Sequence, residues 1–546
     1  MPAGAAGLLR DLILVTVIAL VARVAIALVI DEAPWTDSAY YYASATSLAA
    51  GEGLGVPFLW SFLEIGGELP SDPSLPVASH AHWMPLAAMV SATPMAIVEP
   101  AWRVAQAPMV LLSAALSPIT YLIAIDLWRS RFVATGGAVL LVFTGPLLLF
   151  GSIVENFAVF GIAGSLALYA AIRATAPPRA GLWLLLSGGL VGVATLARID
   201  GLLLAVAPAY AWLAGSRAAS RAGESGSRSR RHAVLTGIGA LAAFGLAIAP
   251  WVVRNVVTFG AILPSTGGRT LFIKSYNEQF SITADTSLAA YLAQGPIEII
   301  APKLESWVTV AGYTVALLAG IFGLAYLAAL FVQWRRRELR PFIAYFTVMI
   351  FLMGGLFTFH APHGLFYHHA AAWLPIAAPM SVAGVPALAT RASRWWRFLG
   401  RPRVHRFLAI AALVAAVPFS LAASGVRLTE WRTNLEAVSA VDSFLDRSGR
   451  RGDVVMYRDA PLLTANTGWR AVAPPADPFP VIGEVARAYG ARWYVAQLQA
   501  VGPAIEPLGL WEGGRSVDAD GNRAAWLEPD PAFEGPGLRV YRVVPP

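Results

Sequence analysis

Long apolar runs recur along this chain in numbers that a water-soluble core cannot absorb. A helix needs about 20 consecutive, mostly apolar residues to cross the hydrocarbon layer of a bilayer. Eleven stretches approach that length, at 12–30, 103–127, 133–150, 157–172, 181–197, 201–215, 233–251, 308–331, 342–359, 369–389 and 407–424. Charged residues, which keep soluble domains in water at about 25% of composition, make up 13% here, against 57% hydrophobic. The chain therefore reads as mainly α, a polytopic membrane helix bundle of about 11 spans. Residues 84–98 are also apolar, but the run is shorter and broken by Pro85 and Pro94. It predicts a helix lying at the interface. No long internal repeat is evident.

The basic residues set the orientation, because loops facing the cytoplasm are enriched in Lys and Arg. With the N-terminus and Arg10 inside, alternate gaps carry Arg129 and Arg131, then Arg173 and Arg179, then Arg217, Arg221, Arg228, Arg230 and Arg231. The next inner gap carries Arg335, Arg336, Arg337 and Arg340, and the last runs from Arg391 to Arg406. Residues 31–100 hold no Lys or Arg but eight carboxylates, including Asp37, Glu64 and Glu99. The net charge of +7 is thereby placed beside anionic lipid headgroups, and no nucleic-acid partner is needed to explain it. An odd span count puts the C-terminus outside. The first stretch is too long for a signal-peptide core and lacks an A-x-A site before Asp31, so it reads as a retained span.

After about residue 425 the composition becomes that of a soluble protein. Leu428, Trp431, Leu435, Val438, Val441 and Leu445 recur at helical spacing, predicting an amphipathic helix over 427–447. Segments 453–457, 492–497 and 538–544 read as strands, with a helix near 480–490. The division is thus a transmembrane domain, 1–425, with outer loops 31–102 and 252–306, and a small extracytoplasmic α/β domain, 426–546. The Arg/Ser/Gly stretch 216–232 reads as a flexible inner loop. There is no cysteine, which excludes thiol nucleophiles and Cys-based zinc sites. The two lysines, Lys274 and Lys303, are not preceded by glycine, which excludes a phosphate-loop ATPase.

Chemistry must come from the outer loops. Asp37, just past the first span, is a candidate general base; it reads equally as the cap of a helix over 38–50. Glu155 lies between two spans, where an unpartnered carboxylate is costly; it too has a bland reading, as a helix-start acid favoured by the dipole. Arg198, Arg254, Arg269, Lys274 and Lys303 lie outside against the charge trend. They suit a phosphate or, alternatively, pairing with the acidic loop. Histidines gather at His80 and His82 and at His360, His363, His368 and His369. Their spacings match no zinc motif, so they read as interfacial hydrogen-bonding and substrate-contacting groups. Arg23, inside the first span, is expected to face the bundle and pair internally.

In order along the chain stand Asp37-Ser38-Ala39-Tyr40-Tyr41 with Leu48-Ala49-Ala50-Gly51-Glu52-Gly53; His82-Trp83-Met84-Pro85-Leu86; Ser152 to Asn156; Leu196-Ala197-Arg198-Ile199-Asp200-Gly201; Pro250-Trp251-Val252-Val253-Arg254-Asn255; and Tyr367 through Pro375 with Pro379. This order resembles the GT-C superfamily of membrane glycosyltransferases, of the protein O-mannosyltransferase and aminoarabinose transferase type, over roughly 10–390. The resemblance implies a polyprenyl-phosphate-linked sugar as donor. An acidic residue of the first outer loop would be the base, here Asp37, assisted by Glu155. Arg198, Arg254, Arg269 and Lys274 would hold the donor phosphate, and Tyr40, His82, Tyr367 and His368 the substrates. The acceptor would be an envelope lipid, glycan or protein, and the sugar a hexose or a pentose. The site would lie on the extracytoplasmic side of the plasma membrane. The resemblance implies no certain cofactor, and because relatives differ on metal dependence it leaves a divalent ion open. The chain departs from its relatives in having Asp37-Ser38 where many carry two acids, and His82-Trp83-Met84-Pro85 where His- or Lys-Pro-Pro is usual. The rival is a transporter or flippase of a lipid-linked substrate, which tends to carry repeats and midplane polar groups. Here the carboxylates crowd one face.

Overall fold

The structure, a computed structural model, describes residues 3–176, 178–221, 227–264, 269–497, 525–535 and 537–544. It falls into two compact units. One comprises Met1–Val29, Ala107–Val252 and Ile300–Ser424; the other comprises Ile30–Gln106, Val253–Ile299 and Gly425–Pro546.

The first unit is helical. Its centre is the helix Phe366–Ala392, which packs against Ile321–Gln333, Phe157–Arg173 and Arg131–Val142. Small residues allow the close approach, as is usual where lipid gives helices no hydrophobic reason to associate. A β-carbon added at Gly137 would stand 2.5 Å from the Cα of Pro379, and one at Gly384 would stand 2.3 Å from the Ala325 carbonyl oxygen. At the periphery, Leu241 and Leu246 are 71% and 77% exposed, as lipid-facing residues would be.

Seven described helices are long and apolar enough to cross a membrane, or eight if one bent pair is a single span. The differences from eleven are local. The expected span 133–150 is the helix Arg131–Val142 followed by the short Gly145–Leu149; 12 residues rise only about 18 Å. The expected span 157–172 is Phe157–Arg173, 17 residues. The expected span 308–331 breaks into Pro296–Leu317 and Ile321–Gln333, which meet at 110°. The break lies at Ala319 and Gly320, with φ of 51° and 70°, values that no α-helix contains. The first helix, Ala3–Ala27, carries Arg10, Asp11 and Arg23. The apolar segment 84–98 is helical over Leu86–Ile97. Of the expected loop 216–232, residues 222–226 lie outside the described residues, and helices reach Arg221 and Ser227 on either side.

The second unit is built on a six-stranded sheet. The strands are, in chain order, β1 (Gly55–Val56), β2 (Phe58–Leu59), β3 (Val77–Ala78), β4 (Val454–Met456), β5 (Arg470–Val472), β6 (Ala491–Gln497), β7 (Phe533–Gly535) and β8 (Leu538–Arg542). Strands β1 and β3 pair separately. The large sheet has the order β2-β5-β4-β6-β8-β7. Strands β2, β5, β4 and β6 run parallel, whereas β8 is antiparallel to β6 and to β7. The three strands expected from sequence appear as β4, β6 and β8, and the helix expected near 480–490 is Phe479–Ala488. The contribution of β2 from the first outer loop was not foreseen. The amphipathic stretch 427–447 is not a separate helix. It continues the apolar run before it in one helix, Pro402–Ser448, because only Gly425 interrupts the join, at a cost of about 1 kcal/mol in helix propensity.

Candidate functional site

In the second unit, Asp37 lies in the first turn of the helix Thr36–Ala49. It is not the cap: Trp35 holds that position, with extended backbone and no side-chain capping bond. An acid in the first turn is still favoured by the helix dipole. Asp37 is partly buried and close enough to Tyr276 to raise the phenol's pKa, though burial contributes more to that shift.

Tyr40 and Ser44 continue the Asp37 face of this helix at helical spacing, and both are tied down. Tyr40, expected to touch substrate, is fully buried. Its hydroxyl bonds Glu64 Oε1 at 2.5 Å and accepts the His80 N–H at 2.7 Å. Its ring packs edge-on against Trp83, 4.4 Å between centroids. Tyr40 is therefore part of the interior support and presents no face to a substrate. Ser44 bonds His80 Nε2 at 2.7 Å. Burial pushes Glu64 up to about 8, with the Tyr40 hydrogen bond and the Arg254 charge opposing. Burial first, then Arg254, lowers His80 to about 3. Burial thus favours the uncharged form of both. A carboxylate set among Phe62, Leu63 and Ile65 was the available sequence sign of a buried acid.

Arg254 donates to the Ser79 carbonyl at 2.8 Å and to Asn255 Oδ1 at 3.3 Å, and lies over the Phe259 ring. His82 tilts against Trp60, 6.3 Å between centroids. Lys274 is paired locally: its ammonium is 3.4 Å from Glu278 Oε1, and its backbone N–H donates to Glu278 Oε2 at 2.7 Å. This departs from the expected phosphate role, and the partner is not in the acidic first loop either. Arg269 opens the short turn Arg269–Leu271; its side chain lies outside the described residues.

In the first unit, Glu155 is fully buried. It precedes the helix Phe157–Arg173, and its Oε1 accepts the Asn156 N–H at 2.8 Å. His368 Nδ1 stands 4.0 Å from the same oxygen and 3.4 Å from Asn156 Oδ1, with its ring stacked on Phe157. Tyr367 meets Phe150 edge-on at 5.6 Å. A buried chain of polar groups runs alongside. Arg198 Nε donates to Asp200 Oδ1 at 2.9 Å, Asp200 Oδ2 is 2.9 Å from His369 Nδ1, and His369 Nε2 is 2.7 Å from the Tyr345 hydroxyl. Arg198 is thus committed to an acid, which competes with the phosphate role expected of it. His369 and Asp200 stood out in sequence, in the histidine group and in the segment 196–201, but Tyr345 did not, and only the fold brings the three together. Lys303 donates to the Gly355 carbonyl at 2.7 Å and to Thr358 at 3.2 Å, where it serves a helix C-terminus. Arg23 is 2% exposed, but among the described residues its Nε and Nη1 have no hydrogen-bond partner; the internal pairing expected of it is not seen.

A carboxylate oxygen and an imidazole nitrogen 4.0 Å apart, Glu155 and His368, have the chemistry and spacing of two ligands to one divalent ion.

No protein-family model and no curated protein matches the chain. Solved structures do. ArnT from Cupriavidus metallidurans, bound to undecaprenyl phosphate, is 12% identical with a TM-score of 0.56, over 97% of this chain and 98% of its own. The oligosaccharyltransferase AglB from Archaeoglobus fulgidus, in complex with an inhibitory peptide and a dolichol-phosphate, is 12% identical with a TM-score of 0.53, over 89% of this chain and 69% of its own. The chain shares the fold of these two structures.

Proposed function

We propose that the chain transfers a sugar from a polyprenyl-phosphate-linked donor to an envelope acceptor at the outer membrane–water interface. The observation that carries this reading is the fold likeness over 97% of the chain to a protein bound to undecaprenyl phosphate. The second fold relative, an oligosaccharyltransferase, also carries a polyprenyl phosphate. Fold alone does not fix function, so the residues must supply the chemistry.

Asp37 acts as the general base. Its carboxylate takes the proton of the acceptor group as that group attacks the anomeric carbon, and the lipid phosphate departs. One displacement inverts the anomeric centre. The phosphate is a good leaving group, so what it requires is stabilisation of its growing charge. Arg254 is the cation best suited to that. Its guanidinium fork suits a pair of phosphate oxygens, and it lies in the same compact unit as Asp37. A divalent ion, where used, would be held by Glu155 and His368 and would supply positive charge there.

The test is a deletion strain complemented with wild type or with Asp37→Asn, with envelope glycans compared by mass spectrometry. One sugar mass should vanish on deletion, return with wild type and stay absent with Asp37→Asn. Full restoration by Asp37→Asn would remove Asp37 as the base and move transport of a lipid-linked substrate to the front.

A further inference from the structure

The four residues that lead into Asp37 are held from the C-terminal part of the chain, within the second unit. Asn466 clamps the backbone of Ala33 in both senses: its Oδ1 accepts the Ala33 N–H at 3.1 Å, and its Nδ2 donates to the Ala33 carbonyl at 3.0 Å. Trp35 stacks on Trp431, 6.4 Å between centroids at 19°. Thr36 Oγ1 donates to Asp459 Oδ2 at 2.7 Å. Asp459 is itself fixed, because its other oxygen caps the helix Ala460–Thr467 by accepting the Leu462 N–H at 3.1 Å. The same helix supplies Asn466, whose Nδ2 also reaches the Leu462 carbonyl at 3.0 Å.

The place of these contacts in the sheet matters. Asp459 follows directly from the carboxyl end of β4, a central strand of the parallel part. In open α/β sheets that rim is where ligands are held. Here one stretch of the rim grips the chain's own first outer loop.

We infer that Asp459 and Asn466 are positioning residues for Asp37, an assignment that rests on Asp37 being the base. Neither touches substrate. Each fixes a point within four residues of Asp37, and a displacement of about 1 Å in a catalytic group lowers rate by about 100-fold. The C-terminal domain thereby acts on the reaction through the backbone of 33–36.

The experiment uses the full chain, comparing Asn466→Ala, Asp459→Ala, Asp459→Asn and Asp37→Asn with wild type. Three quantities are read: restoration of the missing sugar mass in the deletion strain, amide hydrogen exchange of the peptide covering 31–42, and affinity for undecaprenyl phosphate as a probe. Asn466→Ala and Asp459→Ala should lower restored glycan about 10- to 100-fold, speed exchange in that peptide, and leave undecaprenyl phosphate affinity within about two-fold. Asp459→Asn should behave close to wild type, since its oxygen can keep the cap while its amide donates to Thr36 Oγ1. If Asp37→Asn abolishes the glycan while both alanine variants restore it fully, the positioning role is wrong and the base stands. If Asp37→Asn restores the glycan, the base reading fails instead. If the alanine variants lose activity and undecaprenyl phosphate affinity together, or Asp459→Asn fails equally, the residues are merely structural and the inference is overturned.

Discussion

Two carboxylates of the second unit, Asp37 and Glu64, differ in their surroundings more than in their chemistry. Asp37 is partly buried in the first turn of its helix, and Glu64 is 2% exposed and hydrogen-bonded to Tyr40. Removing Asp37's ability to accept a proton, with Asp37→Asn, should lower transfer by at least about 100-fold, measured as initial rate in membranes once the sugar is identified. Glu64 gives a prediction about pH. In the unfolded chain its proton leaves near the ordinary value of 4.5, and in the fold near 8, because burial disfavours the charged form. Between those values the folded protein holds the extra proton, so Glu64 makes stability fall as pH rises across that window. Glu64→Gln keeps a neutral partner for Tyr40 and should show a smaller drop in melting temperature between about pH 5 and about pH 8 than wild type. An equal drop in both proteins would mean that Glu64 is ionised in the fold.

The elements show what a sequence does and does not disclose. Long apolar segments such as 369–389 were legible because hydropathy alone decides them, and the helix found there is Phe366–Ala392. The break at Ala319 and Gly320 was not legible, because an apolar run looks the same whether it is straight or bent by 110°. Strand β2 was missed because two residues, Phe58 and Leu59, are too few for an alternation to register. Asp37 and Glu155 stood out as acids beside apolar spans, whereas the Asp200–His369–Tyr345 chain depends on contacts between distant positions. Two glycines carry predictions at this scale. Gly320 has open space around its α-carbon but a φ of 70°, so Gly320→Ala should cost about 1 kcal/mol from backbone strain alone. Gly384→Ala should cost more, about 1–3 kcal/mol, since its new methyl meets the Ala325 carbonyl at 2.3 Å. Thermal melts of the purified protein in detergent rank the two.

At the scale of the whole molecule, the arrangement across the bilayer is set by where the arginines lie, and the absence of cysteine makes it directly measurable. A single Thr433→Cys, on an exposed face, should react with a membrane-impermeant maleimide in intact cells. Arg335→Cys, also exposed, should react only after permeabilisation; the reverse pattern would invert the orientation. The second unit draws on three separated lengths of chain, and its sheet joins Phe58 to Ala471 and Leu59 to Val472. That pairing closes a loop of more than four hundred residues, so it cannot form while the ribosome is still making the spans between. For most of synthesis the early segment Phe58–Leu59 waits with a strand edge unmatched. The sheet of the second unit therefore closes only after Arg470–Val472 has been made. A truncated chain would keep its spans but leave that early segment without the partner it was made to meet.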